Sequence, residues 1–148
     1  MRTIQLMSII YRKNKNKYEF LLLKRIPEKG GFWQPPCGGL EKEDKSKLEG
    51  CFREIKEETG ISKDKIIKII ENIHSFTMNK HYLTKEPIKP ITEYVFAFEV
   101  DKNVNVKLDS NIYPEHSEYC WVSFDKALNL LKWENNKDSF KKLKEVLL

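Results

Sequence analysis

The sequence predicts an α+β fold, a mixed β-sheet flanked on both faces by helices as an α/β/α sandwich. Three observations carry the prediction. Stretches that read as strands come first, one capped amphipathic helix follows them, and further strands and then amphipathic helices close the chain. No repeat, low-complexity tract or linker divides the 148 residues, so they read as one domain over 1–148.

Thr3–Arg12 and Tyr18–Arg25 are β-branched and aromatic-rich, and the polar run Lys13–Lys17 between them reads as a hairpin tip. Ile26–Gly31 reads as a loop. Phe32-Trp33-Gln34 then meets Pro35 and Pro36, which impose extended backbone and forbid helix. Ser46 followed by Glu49 is a capping box that starts a helix, and Gly60 stops it. Within that helix Leu48, Cys51, Phe52 and Ile55 form an apolar stripe, while Glu54, Glu57 and Glu58 share another face.

Lys65–Met78 alternates as a strand with a break near Asn72, and Asn79–Pro90 reads as an exposed polar loop carrying His81 and Tyr82. Thr92–Val100 is the clearest strand, with Tyr94, Phe96 and Phe98 on one face and Val95, Ala97 and Glu99 on the other. A polar connection, Asp101–Pro114, leads to an acid-and-histidine segment and the apolar stretch ending at Val122. Ser123 caps a short helix reaching about Lys132, Trp133–Asn136 reads as a break, and Asp138–Leu148 is amphipathic with Phe140, Leu143 and Leu147 inward.

Composition narrows the function. The net charge of +5 could suggest nucleic acid, but the lysines are scattered and not clustered, and mild basicity equally suits a site for a polyanionic small molecule. Cys37, Cys51 and Cys120 lack the spacing of a zinc site or a disulfide framework and read as reduced thiols. No apolar run is long enough to span a bilayer and no secretion signal is legible, so the expected setting is cytoplasmic, without a membrane partner.

The chemistry concentrates in Gly38–Ile61. Glu54, Glu57 and Glu58 at this spacing repel one another by a few tenths of a kcal/mol per pair. They form either a solvated acidic face or the oxygen ligands of a hard divalent cation, magnesium or manganese. Gly38 and Gly39, entering the same helix, favour the cation because glycine lets backbone approach a ligand closely. Trp33 reads first as a packing residue and second as a platform for a base, with Gln34 placed to hydrogen-bond the base edge. Arg25, ending its strand, reads from the residues alone as a surface arginine.

Gly39 through Arg53-Glu54-Ile55-Lys56-Glu57-Glu58-Thr59-Gly60-Ile61 resembles the Nudix box, G-x5-E-x7-R-E-U-x-E-E-x-G-U, with U aliphatic. The single departure is Lys45, where the family holds glutamate; Glu41, Glu43 and Asp44 are the acids at hand to replace it. The resemblance implies the Nudix fold and cleavage of a pyrophosphate linkage with the help of magnesium or manganese. It implies Glu54, Glu57 and Glu58 as metal ligands, Glu54 and Glu57 with Arg53 as catalytic residues, and Arg53 orienting Glu57. Gly38, Gly39, Arg25, Trp33 and Gln34 are the implied substrate contacts. A distal acid joins the metal site in the family, and Glu115 is the first candidate here, Glu118 the second, with His116 orienting its neighbours.

Looser likeness around Phe32-Trp33-Gln34, Glu115–Trp121 and Leu131–Asn136 is to the dATP and dihydroneopterin triphosphate pyrophosphatase branch. It implies a nucleoside or pterin triphosphate cleaved to monophosphate and pyrophosphate. A dinucleoside polyphosphate, or nucleotide or RNA binding without turnover because of Lys45, are the alternatives. Monomer and homodimer both stay open.

Overall fold

The computed structural model describes residues 3–110 and 113–147. Positions 111 and 112 of the polar connection expected over Asp101–Pro114, and Leu148 of the C-terminal helix, lie outside them.

Strand β1 (Ile4–Asn14) turns back into β2 (Lys17–Arg25) through Lys15 and Asn16, whose φ angles of 51° and 65° are left-handed. A two-residue turn of that hand matches strand twist, so both strands run further into the lysine-rich tip than the composition suggests. A 3-10 turn at Pro27–Lys29 precedes the short strands β3 (Trp33–Gln34) and β4 (Cys37–Gly39). Helix α1 (Lys47–Thr59) follows; Ser46 accepts from the Glu49 backbone N–H, and Gly60 ends the helix at φ 75°.

The long strands β5 (Ile66–Lys80) and β6 (Pro87–Val100) come next. The break expected at Asn72 is a bulge: its φ is 58° and the pairing slips between Ile70 and His74, yet the strand continues. The loop expected over Asn79–Pro90 contracts to His81–Glu86, closed by the Glu86 carbonyl accepting from His81 N–H at 2.8 Å. Both prolines sit on the β6 rim, where a missing donor is tolerated. Strand β7 (His116–Val122) and helix α2 (Phe124–Leu130, capped by Ser123) follow. Helix α3 (Glu134–Leu147) begins four residues before the expected start: Asn136 and Lys137 N–H donate to the Trp133 carbonyl, so the polar run is a first turn and not a break.

The strands form one mixed sheet in the order β3-β2-β1-β6-β5, with β4 added to β1 and β7 to β2; β1 and β6 are parallel, and the other pairs antiparallel. Alternation sends the two sides of each strand into two apolar layers. Leu6, Ile10, Leu21, Leu23, Phe96 and Phe98 meet Cys51 and Ile55 of α1. Met7, Ile9, Tyr11, Phe20, Leu22, Val95 and Ala97 meet Ala127, Leu131, Phe140 and Leu143 from the C-terminal segments. The result is an α/β/α sandwich with α1 on one face and α2 and α3 on the other. Among the described residues no helix is long and apolar enough to cross a membrane.

Candidate active site

The apolar stripe of α1 faces the sheet, and this rotation turns its acidic face toward β4. Carboxylate oxygens of Glu54, Glu57 and Glu58 lie within 4.8 Å of one another, with Glu54 and Glu58 buried. Burial raises the Glu54 carboxyl to about 7 against the pull of Arg53, and the two neighbouring acids push it the same way. Three acids gathered this closely, two of them buried, call for positive charge. The donor set is all carboxylate oxygen, as a hard divalent cation requires, so the residues fit magnesium or manganese.

Arg53 supplies part of that charge from the side. It donates to Asp44 from Nε at 2.9 Å and from Nη2 at 2.8 Å, to Glu54 at 2.9 Å, to Glu57 at 3.3 Å and to the Gly39 carbonyl at 3.0 Å. These bonds, Asp44 first, raise its basicity further. The fork on Asp44 is bidentate, and the Asp44 side chain is only 6% exposed. Lys45, meanwhile, points to solvent. An acid one position earlier thus does the holding that the motif glutamate is expected to do.

Glu58 is fixed from behind. His116 Nδ1–H donates to Glu58 Oε2 at 2.9 Å, and His116 Nε2 accepts from the Gln34 amide at 3.2 Å, all within the buried interior. Gln34 as donor and the carboxylate as acceptor assign the neutral tautomer with the proton on Nδ1. His116 therefore orients its neighbours, as expected. Glu115 and Glu118 do not reach the acidic cluster. Glu115 pairs with Lys29 at 3.0 Å, because the Glu115 carbonyl accepts from Ile26 N–H and draws that segment beside the 3-10 turn. Glu118 lies 3.6 Å from Lys24 on the surface.

On the opposite side of β4 lies a cavity of about 460 Å³, lined among others by Arg25, Phe32, Gln34, Gly38, Tyr82, Glu93 and Trp133. Phe32, Tyr82 and Trp133 meet edge to face, with centroids 5.4 to 6.1 Å apart. The Arg25 guanidinium sits 5.7 Å from the Phe32 ring and 5.9 Å from Tyr82. Trp33 is not in this wall. It packs against the α2/α3 layer and bridges to Leu131 instead. Gln34 reaches the cavity, though its amide is engaged by His116. The loop of His81 and Tyr82, expected to be polar and exposed, forms part of the wall.

Gly38 belongs to both halves. A Cβ built there would lie 2.1 Å from Glu54 Oε1, so only glycine leaves that carboxylate its place at the cavity edge. Glu93 was legible in retrospect, since it shares the alternation of Val95 and Ala97. The aromatic wall was not: its members come from three separate loops.

Comparison with known proteins agrees with this geometry. A family model described as NUDIX domain matches residues 2–143. The chain is 29% identical over 143 residues to an RNA pyrophosphohydrolase of Pelagibacter ubique, covering 90% of this chain and 87% of that protein. It is 27% identical over 139 residues to a dihydroneopterin triphosphate diphosphatase of Haemophilus influenzae (90% and 82% covered). A bis(5'-nucleosyl)-tetraphosphatase of Rattus norvegicus is 30% identical over 130 residues (87% and 80%). The chain also matches 36% of the length of a longer Myxococcus xanthus octanoyltransferase at 29% identity, over 96% of its own length. The fold is shared with a C. elegans Ap4A hydrolase structure at TM-score 0.80 and 23% identity, covering 98% of this chain and 97% of that one.

Proposed function

Because the chain belongs to the Nudix family of hydrolases acting on phosphoric anhydrides, we propose that it cleaves a nucleoside or pterin triphosphate to the monophosphate and pyrophosphate. The observation that carries this reading is the shared Gly38 wall. A planar ring held among Phe32, Tyr82 and Trp133 directs its phosphates past Gly38 onto Glu54, Glu57 and Glu58.

In this reading Glu54, Glu57 and Glu58 hold magnesium, with manganese as substitute. Bound there, the cation supplies charge neutralisation at the phosphate oxygens and makes water a stronger acid. Arg53 keeps Glu54 and Glu57 at their places, Asp44 keeps Arg53 at its own, and His116 with Gln34 keeps Glu58 turned inward. Glu54, at the edge of the acidic cluster beside Gly38, is the candidate to accept the proton of the attacking water. Arg25 stands beside the path of the phosphates. Gly39 lends its carbonyl to Arg53 and touches no substrate group in this scheme, and neither Trp33 nor Glu115 enters it.

A dinucleoside polyphosphate is the second reading, favoured by Lys80 and Lys85, which add positive charge to the cavity beside Arg25. Binding without turnover drew on Lys45, and the Asp44–Arg53 pair speaks against it. A cytoplasmic setting and a single domain over 1–148 belong to the same proposal.

The test is release of pyrophosphate or phosphate from nucleoside triphosphates, dihydroneopterin triphosphate, dinucleoside polyphosphates, ADP-ribose and nucleotide sugars. Each is run with magnesium and with manganese, beside Glu57→Gln. Pyrophosphate from the triphosphates, lost in the variant, is the expected outcome. Turnover confined to dinucleoside polyphosphates selects the second reading. Binding of triphosphates with no turnover under either metal overturns both.

A further inference from the structure

We propose that Glu93, at the floor of the aromatic cavity, reads the substrate's ring by accepting two adjacent N–H groups, and so selects a 2-amino-4-oxopyrimidine edge of the kind carried by guanine and the pterins. The inference rests on the preceding reading of the cavity as the ring site.

Glu93 is 3% exposed, yet it lines the cavity. Its position follows from the sheet. In the parallel pairing of β1 with β6 it lies opposite Gln5, and in the antiparallel pairing with β5 it lies opposite Phe76. Gln5 Nε2 donates to Glu93 Oε1 at 3.1 Å, while the neighbouring Cys37 thiol donates to the Pro35 carbonyl. A carboxylate offers about four lone-pair sites, so this bond leaves acceptor capacity at the cavity. Burial of such a group without enough donors is costly, and burial raises the Glu93 carboxyl to about 7. A ligand that brings two N–H donors relieves that cost.

Chemistry then discriminates among rings. Guanine presents a ring N–H beside an exocyclic amino group, and so does the pyrimidine half of a pterin. Adenine and cytosine set their amino group beside an unprotonated ring nitrogen, whose lone pair would face the carboxylate. Uracil places its ring N–H between two carbonyls. Hypoxanthine keeps the ring N–H and lacks the amino group, which makes inosine triphosphate the sharpest control. The Gln5 bond anchors one oxygen of the carboxylate, so the reading is geometric as well as electrostatic.

The experiment compares kcat/KM for GTP, ITP, ATP and dihydroneopterin triphosphate in the wild type and in Glu93→Gln, with calorimetric binding of GTP, ITP and ATP beside it. The glutamine can keep the bond from Gln5 but replaces one acceptor by a donor. Wild type is expected to favour GTP and the pterin over ITP and ATP by about 10- to 100-fold, the range of one good bidentate contact. In Glu93→Gln the GTP-to-ITP ratio is expected to fall to within about threefold, with ATP little changed. A wild-type GTP-to-ITP ratio near one overturns the proposal even if the variant fails to fold. So does a variant that lowers every substrate equally. Triphosphate turnover without that ratio leaves the hydrolase reading standing and removes only the role of Glu93. If nothing turns over, the binding ratios decide the role of Glu93 on their own.

Discussion

At the scale of single residues, the site depends on charges kept where water is scarce. Glu93 is the clearest case outside the acidic cluster. Burial lifts its carboxyl in the folded protein to about 7, above the ordinary carboxylate range. With the cavity empty the neutral acid is therefore the favoured form, and the two N–H donors of a bound ring would favour the carboxylate instead. The associated stability is fully present below the unfolded value and is lost as pH rises through about 7. Glu93→Gln, which stays neutral, is expected to melt close to wild type at pH 5 and above it at pH 8, by up to about 3 kcal/mol. Thermal melts of both proteins across that range check the sign. Lys45 is the opposite case. It is exposed, and Asp44 already grips Arg53, so Lys45→Glu is expected to change kcat/KM by no more than about twofold. Asp44→Asn, which weakens both bonds to Arg53, should lower kcat far more, and steady-state kinetics on the pair separates the two positions.

At the scale of elements, α1 is held by its caps and its apolar stripe and strained by its acidic face. Relief of that strain by a cation should appear as stability. Magnesium is expected to raise the melting temperature of wild type and to raise that of Glu57→Gln much less, with EDTA reversing the gain. Calorimetric scans with and without the ion measure it. The neighbouring strand β4 contributes through what it lacks. Gly38→Ala inserts a methyl where Glu54 Oε1 stands, 2.1 Å from the new carbon, so either the helix or the carboxylate must move. A displacement of this size is expected to lower kcat by about 100-fold while the fold survives, as circular dichroism of the variant can verify.

At the scale of the whole molecule, the sheet separates two tasks. The acids approach from the α1 side, the ring cavity lies on the side of α2 and α3, and Gly38 is the point where they meet. Substitutions should divide accordingly. Tyr82→Ala and Trp133→Ala are expected to raise KM about 10-fold with kcat nearly kept, since stacking on an aromatic ring is worth roughly 1–3 kcal/mol. Glu57→Gln should act on kcat. Steady-state kinetics with one triphosphate tests the division.

The same separation explains what was legible in the chain. Capping residues, helical spacing and strand alternation are local, so Ser46, Gly60, the stripe of α1, its three acids and the two faces of Thr92–Val100 could be read directly. The box pattern carried the family with them, and Arg53 as the organiser of its acids. Other features depend on which segments meet, and no local spacing encodes that. Asp44 in the place of the motif glutamate, the diversion of Glu115 to Lys29, the turning of Trp33 into the core and the wall of Phe32, Tyr82 and Trp133 are all long-range. Burial, which sets the protonation of Glu54 and Glu93, likewise exists only once the sheet is closed on both faces. Local spacing thus fixed the elements in outline and the acids; only the closed fold decided where those elements end, which groups hold the acids and what shape of ring can lie beside them.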